Sequence, residues 1–273
     1  MNTEEGLLLL AAQWAGRYAL PLFLLALAIL LASAWVCWWA LQRYVVPRAQ
    51  NALPQWGLLA LYLTSGFLAI VAGAWVFGEL ASELVARTVL GPADQALTDA
   101  LQLSAPPQAT QLFAAVTRLA DTATITGLGI VGAIGLAALG RRWLAVGWAA
   151  ALAGNGLLNH TLKQVFERTR PVHEGGLVVA DGFSFPSGHS SGSVVAFGML
   201  AYVSTRLLPP RWHLPIVLLA VALAFTVGAS RVFLRVHFAS DVIAGFASGT
   251  AWLAVCIASI EFTRWYSGRG QSG

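Results

Sequence analysis

Lys163-Gln-Val-Phe-Glu-Arg-Thr-Arg170-Pro171, then Pro186-Ser187-Gly188-His189, then Ser230-Arg231-Val-Phe-Leu-Arg-Val-His237-Phe-Ala-Ser-Asp241 are three polar clusters in an otherwise apolar stretch. Two hydrophobic runs, Ser190–Leu208 and Leu214–Ser230, separate the second cluster from the third. Each approaches the ~20 residues that cross a bilayer as a helix. Two crossings return the chain to the face it left, so helical spans here gather all three clusters into one layer. That reading decides the fold class: an all-α, polytopic membrane bundle with a polar site at one surface.

Composition agrees. The 273-residue chain is 58% hydrophobic and 10% charged, with a mean hydropathy of +0.70. Soluble domains carry roughly 25% charged residues, so this chain cannot cover a water-facing surface. The net charge of +4 does not point to nucleic acid, because the arginines sit in short loops between hydrophobic runs, as membrane orientation requires. Five more runs, Leu20–Leu41, Gly57–Gly78, Thr122–Gly140, Trp143–Leu162 and Phe238–Ile260, bring the expected count to about seven spans. The first is read as a retained helix rather than a signal peptide, since it continues through Trp35, Trp38 and Trp39 before Arg43. Between the second and third spans, residues 79–121 mix apolar residues with Glu79, Glu83, Arg87, Asp94, Asp99, Arg118 and Asp121 and the breakers Pro92, Pro106 and Pro107. That pattern predicts short amphipathic helices at the membrane surface. Gly127, Gly129, Gly132 and Gly135 predict a small-residue face for helix packing. Cys37 and Cys256 lie inside apolar runs and imply no disulfide or metal framework.

Arg43 and Arg48, Arg141 and Arg142, Arg206 and Arg211, and Arg264 and Arg269 fall on one set of loops, bordered by a single acid, Glu261. By the positive-inside bias that side is cytoplasmic. The N-terminus is then outside, the C-terminus inside, and the three polar clusters lie on the extracytoplasmic face of the cytoplasmic (inner) membrane.

The clusters suit phosphate chemistry. Lys163 and Arg170 are two helical turns apart and share a face if the helix persists until Pro171 stops it. An ammonium and a planar guanidinium converging there suit a dianion, although each alone fits interfacial snorkelling. Ser187 can cap the following helix, Gly188 lets backbone N–H groups approach a ligand, and the helix start attracts anions. His189 stands where it could protonate a leaving oxygen. His237 and Asp241, four apart, share a face, and a carboxylate on one imidazole nitrogen makes the other more nucleophilic. A metal pair is the alternative, but the nearby His173, Glu174 and Asp181 lack ligand spacing. Arg231 adds a third cation, and Asp241, four residues into a span, must be paired.

In order and spacing, the clusters resemble the three signature motifs of the type 2 phosphatidic acid phosphatase superfamily, over about Gly91 to Phe262. The resemblance implies a helical bundle and metal-independent phosphoester hydrolysis without cofactor. His237 would attack phosphorus to form a phosphohistidine, Asp241 would orient it, and His189 would protonate the leaving alkoxide. Lys163, Arg170, Ser187, Gly188 and Arg231 would hold the phosphate oxygens. The substrate would be a lipid phosphate or diphosphate such as phosphatidylglycerophosphate, phosphatidic acid, a lipid A phosphate or undecaprenyl diphosphate. A phosphotransferase using the same site is a close variant, and an anion transporter is the reading from another class. The chain divides into an N-terminal two-span region (1–90), the catalytic core (91–262) and a cytoplasmic tail (263–273), with oligomeric state open. Family members often have glycine where this chain has Arg235, and Tyr-Pro where it has Phe238-Ala239. Arg235 is expected to point away from the site, and His160 and His213 to be structural or interfacial. His173 has only a weak case as a substrate contact.

Overall fold

The computed structural model describes residues 3–86, 88–171, 178 and 180–269. Arg87, His173 and Glu174 lie outside the described residues. Every regular element among them is helical: α1 (Thr3–Arg17), α2 (Ala19–Ala40), α3 (Val46–Ala52), α4 (Gln55–Val85), α5 (Leu90–Ser104), α6 (Pro107–Val116), α7 (Thr122–Ala138), α8 (Arg142–Phe166), α9 (Gly188–Leu207), α10 (His213–Phe233) and α11 (Ala239–Arg269).

Four segments are long and apolar enough to cross a membrane: Ala19–Ala52, Trp56–Val85, Pro210–Phe233 and Ala239–Ser267. The pair Pro107–Ala120 and Thr122–Ala138, bent by 42°, makes a fifth if taken as one span. The expected spans Trp143–Leu162 and Ser190–Leu208 are long helices, α8 and α9. Their hydropathy is held down by Asn155, Asn159 and His160 on one and by Ser190, Ser191 and Ser193 on the other. The second span runs beyond Gly78 to Val85 and takes in Glu79 and Glu83. Residues 79–121 supply the expected short helices, α5 and α6. The segment before the first span is also helical and lies on α5, where Gly16 lets the two backbones meet. A Cβ added there would come within 2.4 Å of Leu97 O.

A core of Leu136, Trp148, Leu152, Val195, Met199 and Ile260 joins α7, α8, α9 and α11. Of the four glycines expected to form one face of α7, only Gly129 and Gly132 meet α8. Cβ atoms there would lie 3.3 Å from Leu152 and 2.6 Å from Trp148, whereas Gly127 and Gly135 face open space. The Trp148 indole donates to Gly129 O at 3.0 Å, a bond that a side chain at Gly132 would push apart. A second cluster, Leu101, Phe113 and Phe233 with Phe23, fixes α5, α6 and α2 against α10. On the other side of α11, Gly73 of α4 rests against Ala247 and Ala251.

The contact that positions the site is between α9 and α11. A Cβ on Gly245 would lie 2.6 Å from Ser187 O, and one on Gly249 would lie 2.9 Å from the Cα and carbonyl oxygen of Ser191. These glycines let the start of α11 sit directly on the start of α9, so the second and third polar clusters become neighbours.

Candidate active site

The nucleophile candidate is placed by two helix ends. α10 closes in a Schellman motif: Arg235 N donates to Val232 O at 2.8 Å and Val236 N to Arg231 O at 3.1 Å. Arg235 is the left-handed residue, with φ 56. That conformation is why glycine suits the position, since a Cβ costs about 1–2 kcal/mol there. His237 and Phe238 then lead into α11, and the Asp241 carboxylate reaches back to accept the Phe238 N–H at 2.9 Å, half of a capping box. This same carboxylate lies 3.4 Å from His237 Nδ1. His237 therefore precedes α11 rather than lying on it, and the cap, not the helical face, brings the pair together.

The environment assigns the tautomer. Arg170 Nη1 lies 3.0 Å from His237 Nε2. A guanidinium only donates, so Nε2 presents a lone pair and Nδ1 carries the proton toward Asp241. Burial pushes the imidazole pKa down to about 3 against the pull of Asp241, so the ring is neutral near pH 7. A neutral imidazole with its lone pair facing a cluster of cations is an anion-directed nucleophile.

The helix carrying Lys163 does not persist to Arg170. α8 ends at Phe166 because Glu167 turns left-handed at φ 45. Arg170 reaches the site from an extended segment, anchored by Gly182 O at 3.0 Å and Val236 O at 2.7 Å. Lys163 donates to Phe183 O. Arg231, 3% exposed, donates to Thr117 Oγ1 at 2.7 Å. Its Nε is the one buried side-chain polar atom with no partner among the described residues. Ser187 caps α9, accepting from Ser190 N at 3.4 Å. His189, in the first turn of α9, has its Nε2 3.0 Å from Asp121 Oδ1.

Lys163, Arg170, Gly188, His189, Arg231 and His237 line one cavity of about 1030 Å³. Asp241 stands behind His237, fully buried. Ser187 is also fully buried and does not line the cavity. Its hydroxyl is taken up by Ser190 and its N–H by Asp241 O at 2.9 Å. His160, expected to be structural, lines the cavity. His213 bonds Leu208 O at 2.9 Å and packs on Trp38, away from the site. Arg235 is not among the cavity-lining residues.

Three residues escaped the sequence reading. Asp121 faces His189, and the bend between α6 and α7 that places it has no local signal. Arg168, inside the first cluster, is 9% exposed. It donates to Asp241 Oδ1 at 2.6 Å and to Asp94 Oδ2 at 2.8 Å, with its guanidinium 4.3 Å over the Phe238 ring. Asp94, on α5, was visible only as one acid among several. The pairing that a buried Asp241 demanded is thus met, by a cation the motif spacing had passed over.

The polar end of the cavity pools cations around His237, and its remainder runs between α7 and α8 past Ile125, Ile130, Ala133 and Leu152. The PAP2 superfamily profile matches residues 142–265. Phosphatidylglycerophosphatase B of Bacillus subtilis (strain 168) is 31% identical over 164 residues, 58% of this chain and 78% of that protein. Lipid A 1-phosphatase of Rhizobium johnstonii is 37% identical over 119 residues, 40% of this chain and 44% of that protein. The crystal structure of a transmembrane PAP2 type phosphatidylglycerolphosphate phosphatase from Bacillus subtilis matches with a TM-score of 0.66 and 28% identity, covering 70% of this chain and 96% of that one. The chain belongs to the PAP2 superfamily and is a membrane phosphatase of the PAP2 type.

Proposed function

We propose that this protein hydrolyses a lipid phosphate, monoester or diphosphate, at the extracytoplasmic face of the cytoplasmic membrane, through a phosphohistidine on His237. The observation that carries the reading is the cavity wall. Three cations and three histidines share it, and the buried Arg231 Nε–H has no acceptor among the described residues. A phosphate oxygen would satisfy that donor and offset the crowding of Lys163, Arg170 and Arg231. His237 Nε2 then attacks phosphorus in line, the P–O bond to the lipid breaks, and His189 gives its proton to the leaving oxygen. Water, losing a proton to His189, attacks the phosphohistidine, releasing phosphate and restoring the imidazole. The Gly188 end of α9 adds backbone N–H groups to the anion site. The apolar part of the cavity, between α7 and α8, suits the lipid tail. With α7, α8 and α9 taken as crossings, seven spans place the N-terminus outside and the arginine-rich loops in the cytoplasm.

Purified protein assayed on phosphatidylglycerophosphate, phosphatidic acid, lipid A and undecaprenyl diphosphate should release phosphate from at least one. Release should withstand a metal chelator, fall with vanadate, and vanish in His237→Ala. Undiminished turnover by that variant overturns the phosphohistidine.

A further inference from the structure

Asp241 keeps little of its charge to itself. Its Oδ1 receives Arg168 at 2.6 Å, and Oδ2 receives the Phe238 N–H and faces His237. Alone, Arg168 and Asp241 would form a buried neutral pair, with little net field left for the imidazole. Arg168, however, is shared. Its other nitrogen is bound by Asp94 at 2.8 Å. Asp94 is itself fixed by Ser240, which donates its backbone N–H at 3.2 Å and its hydroxyl. Ser240 in turn accepts from Arg168 at 2.7 Å. Burial pushes the Asp94 carboxyl up, while Ser240 and Arg168 pull it down. With both acids ionised, two carboxylates flank one guanidinium and the group carries a single net negative charge behind His237. All three side chains are at least nine-tenths buried, where such a charge is weakly screened. Asp94 lies on α5, outside the 142–265 family match.

We propose that Asp94 and Arg168 are positioning residues for the nucleophile: Arg168 holds Asp241 in place, and Asp94 cancels the cation so that Asp241 still stabilises positive charge on His237. As His237 Nε2 bonds to phosphorus the imidazole becomes cationic, and the residual negative charge behind it stabilises that change. Neither residue lines the catalytic cavity, so substrate binding should be spared. The inference rests on His237 being the nucleophile.

The test is a double-mutant cycle in the full-length protein at pH 8, on a lipid phosphate that the wild type hydrolyses. Asp94→Asn keeps the shape but leaves the group neutral. It should lower kcat about 10- to 100-fold with KM nearly unchanged, by analogy with partners that orient metal-bound histidines. Arg168→Gln leaves two unshared carboxylates and should also lose activity. The double variant restores the single negative charge and should exceed Asp94→Asn in kcat. Losses at bonded residues need not add, so the direction of the change is the readout: a double variant no better than Asp94→Asn in kcat overturns the proposal. Wild-type kcat in Asp94→Asn overturns it as well. Should the double variant not fold, Asp94→Asn decides alone: a rise in KM at constant kcat counts against the idea. The His237→Ala control separates the two levels. If that variant is active, the nucleophile assignment fails and this inference with it. If it is dead while Asp94→Asn is unimpaired, only this inference fails.

Discussion

The two ends of α11 handle charge in opposite ways. Around Glu261, one carboxylate is met by Arg206, by Arg264 at 3.0 Å and by the Tyr202 hydroxyl, with Arg206 also stacked 5.3 Å over the Tyr202 ring. The cations there have an acid, and all three partners converge on its Oε1. Twenty residues earlier, about 30 Å along the helix, Asp241 and Asp94 are both used by Arg168, and Asp121 faces His189. Lys163, Arg170 and Arg231 are left around the cavity with no carboxylate bonded to any of them among the described residues. One end is a staple. The other is a charge surplus held open, and cations lining a cavity without a carboxylate suit an arriving anion.

If that contrast is right, the same kind of substitution should have opposite consequences at the two ends. The largest effect is expected for Arg231→Met. Losing a charge-assisted phosphate contact costs about 1.5–3 kcal/mol or more, so kcat/KM should fall at least about tenfold to a hundredfold. Thermal stability should hold or rise, because a buried cation with an unused donor has gone. Reduced stability with full activity would reverse the roles of the two ends. Glu261→Gln should do the converse. It strands Arg206 and Arg264, lowering stability by about 1 kcal/mol, a melting shift of a few degrees, while phosphate release stays near wild type.

A pH effect sharpens the comparison at the His237 end. The folded pKa of about 3 lies below the unfolded value near 6.5, so the fold favours the neutral ring. Stability from that preference is complete above about pH 6.5 and is lost as pH falls toward 3, by at most about 1.4 kcal/mol per unit. Denaturation curves should therefore show His237→Gln less acid-sensitive than wild type over that window. Equal acid sensitivity would mean that His237 is not held neutral. The smallest effect is expected for Arg235→Gly, which relieves a left-handed residue outside the cavity. Its activity should be unchanged and its stability equal or up to about 1 kcal/mol higher. A clear loss of turnover would give Arg235 a substrate contact.

Much of this arrangement was legible because hydrophobic runs and polar islands obey simple rules. Parity of the spans put Lys163, Arg170, His189, Arg231 and His237 on one face, and the structure lines one cavity with them. What escaped was set by backbone turns and by partners distant in sequence. The left-handed Glu167 ends α8 early, so Arg168 turns inward although it lies within a motif read as helical. Asp94 is 74 residues before Arg168, and no local pattern distinguishes it from Asp99. The helicity of Thr3–Arg17 was missed for a related reason, since α1 packs on α5, a partner distant in sequence. Ser187 shows the converse: its cap was read correctly, but its capping hydroxyl is engaged with Ser190 and the residue does not line the cavity.

Gly245 and Gly249 act as a gauge block for the chemistry. Because backbone meets backbone where α11 crosses the start of α9, the interval between the segments bearing His189 and His237 is set by two hydrogen atoms rather than by flexible side chains. A methyl group at either position is a shim of about 1.5 Å, the length of one carbon–carbon bond, inserted beside these two histidines. Lipid-facing helices such as α2 can drift in sequence as long as they stay apolar, but at these two positions the tolerance is less than one atom.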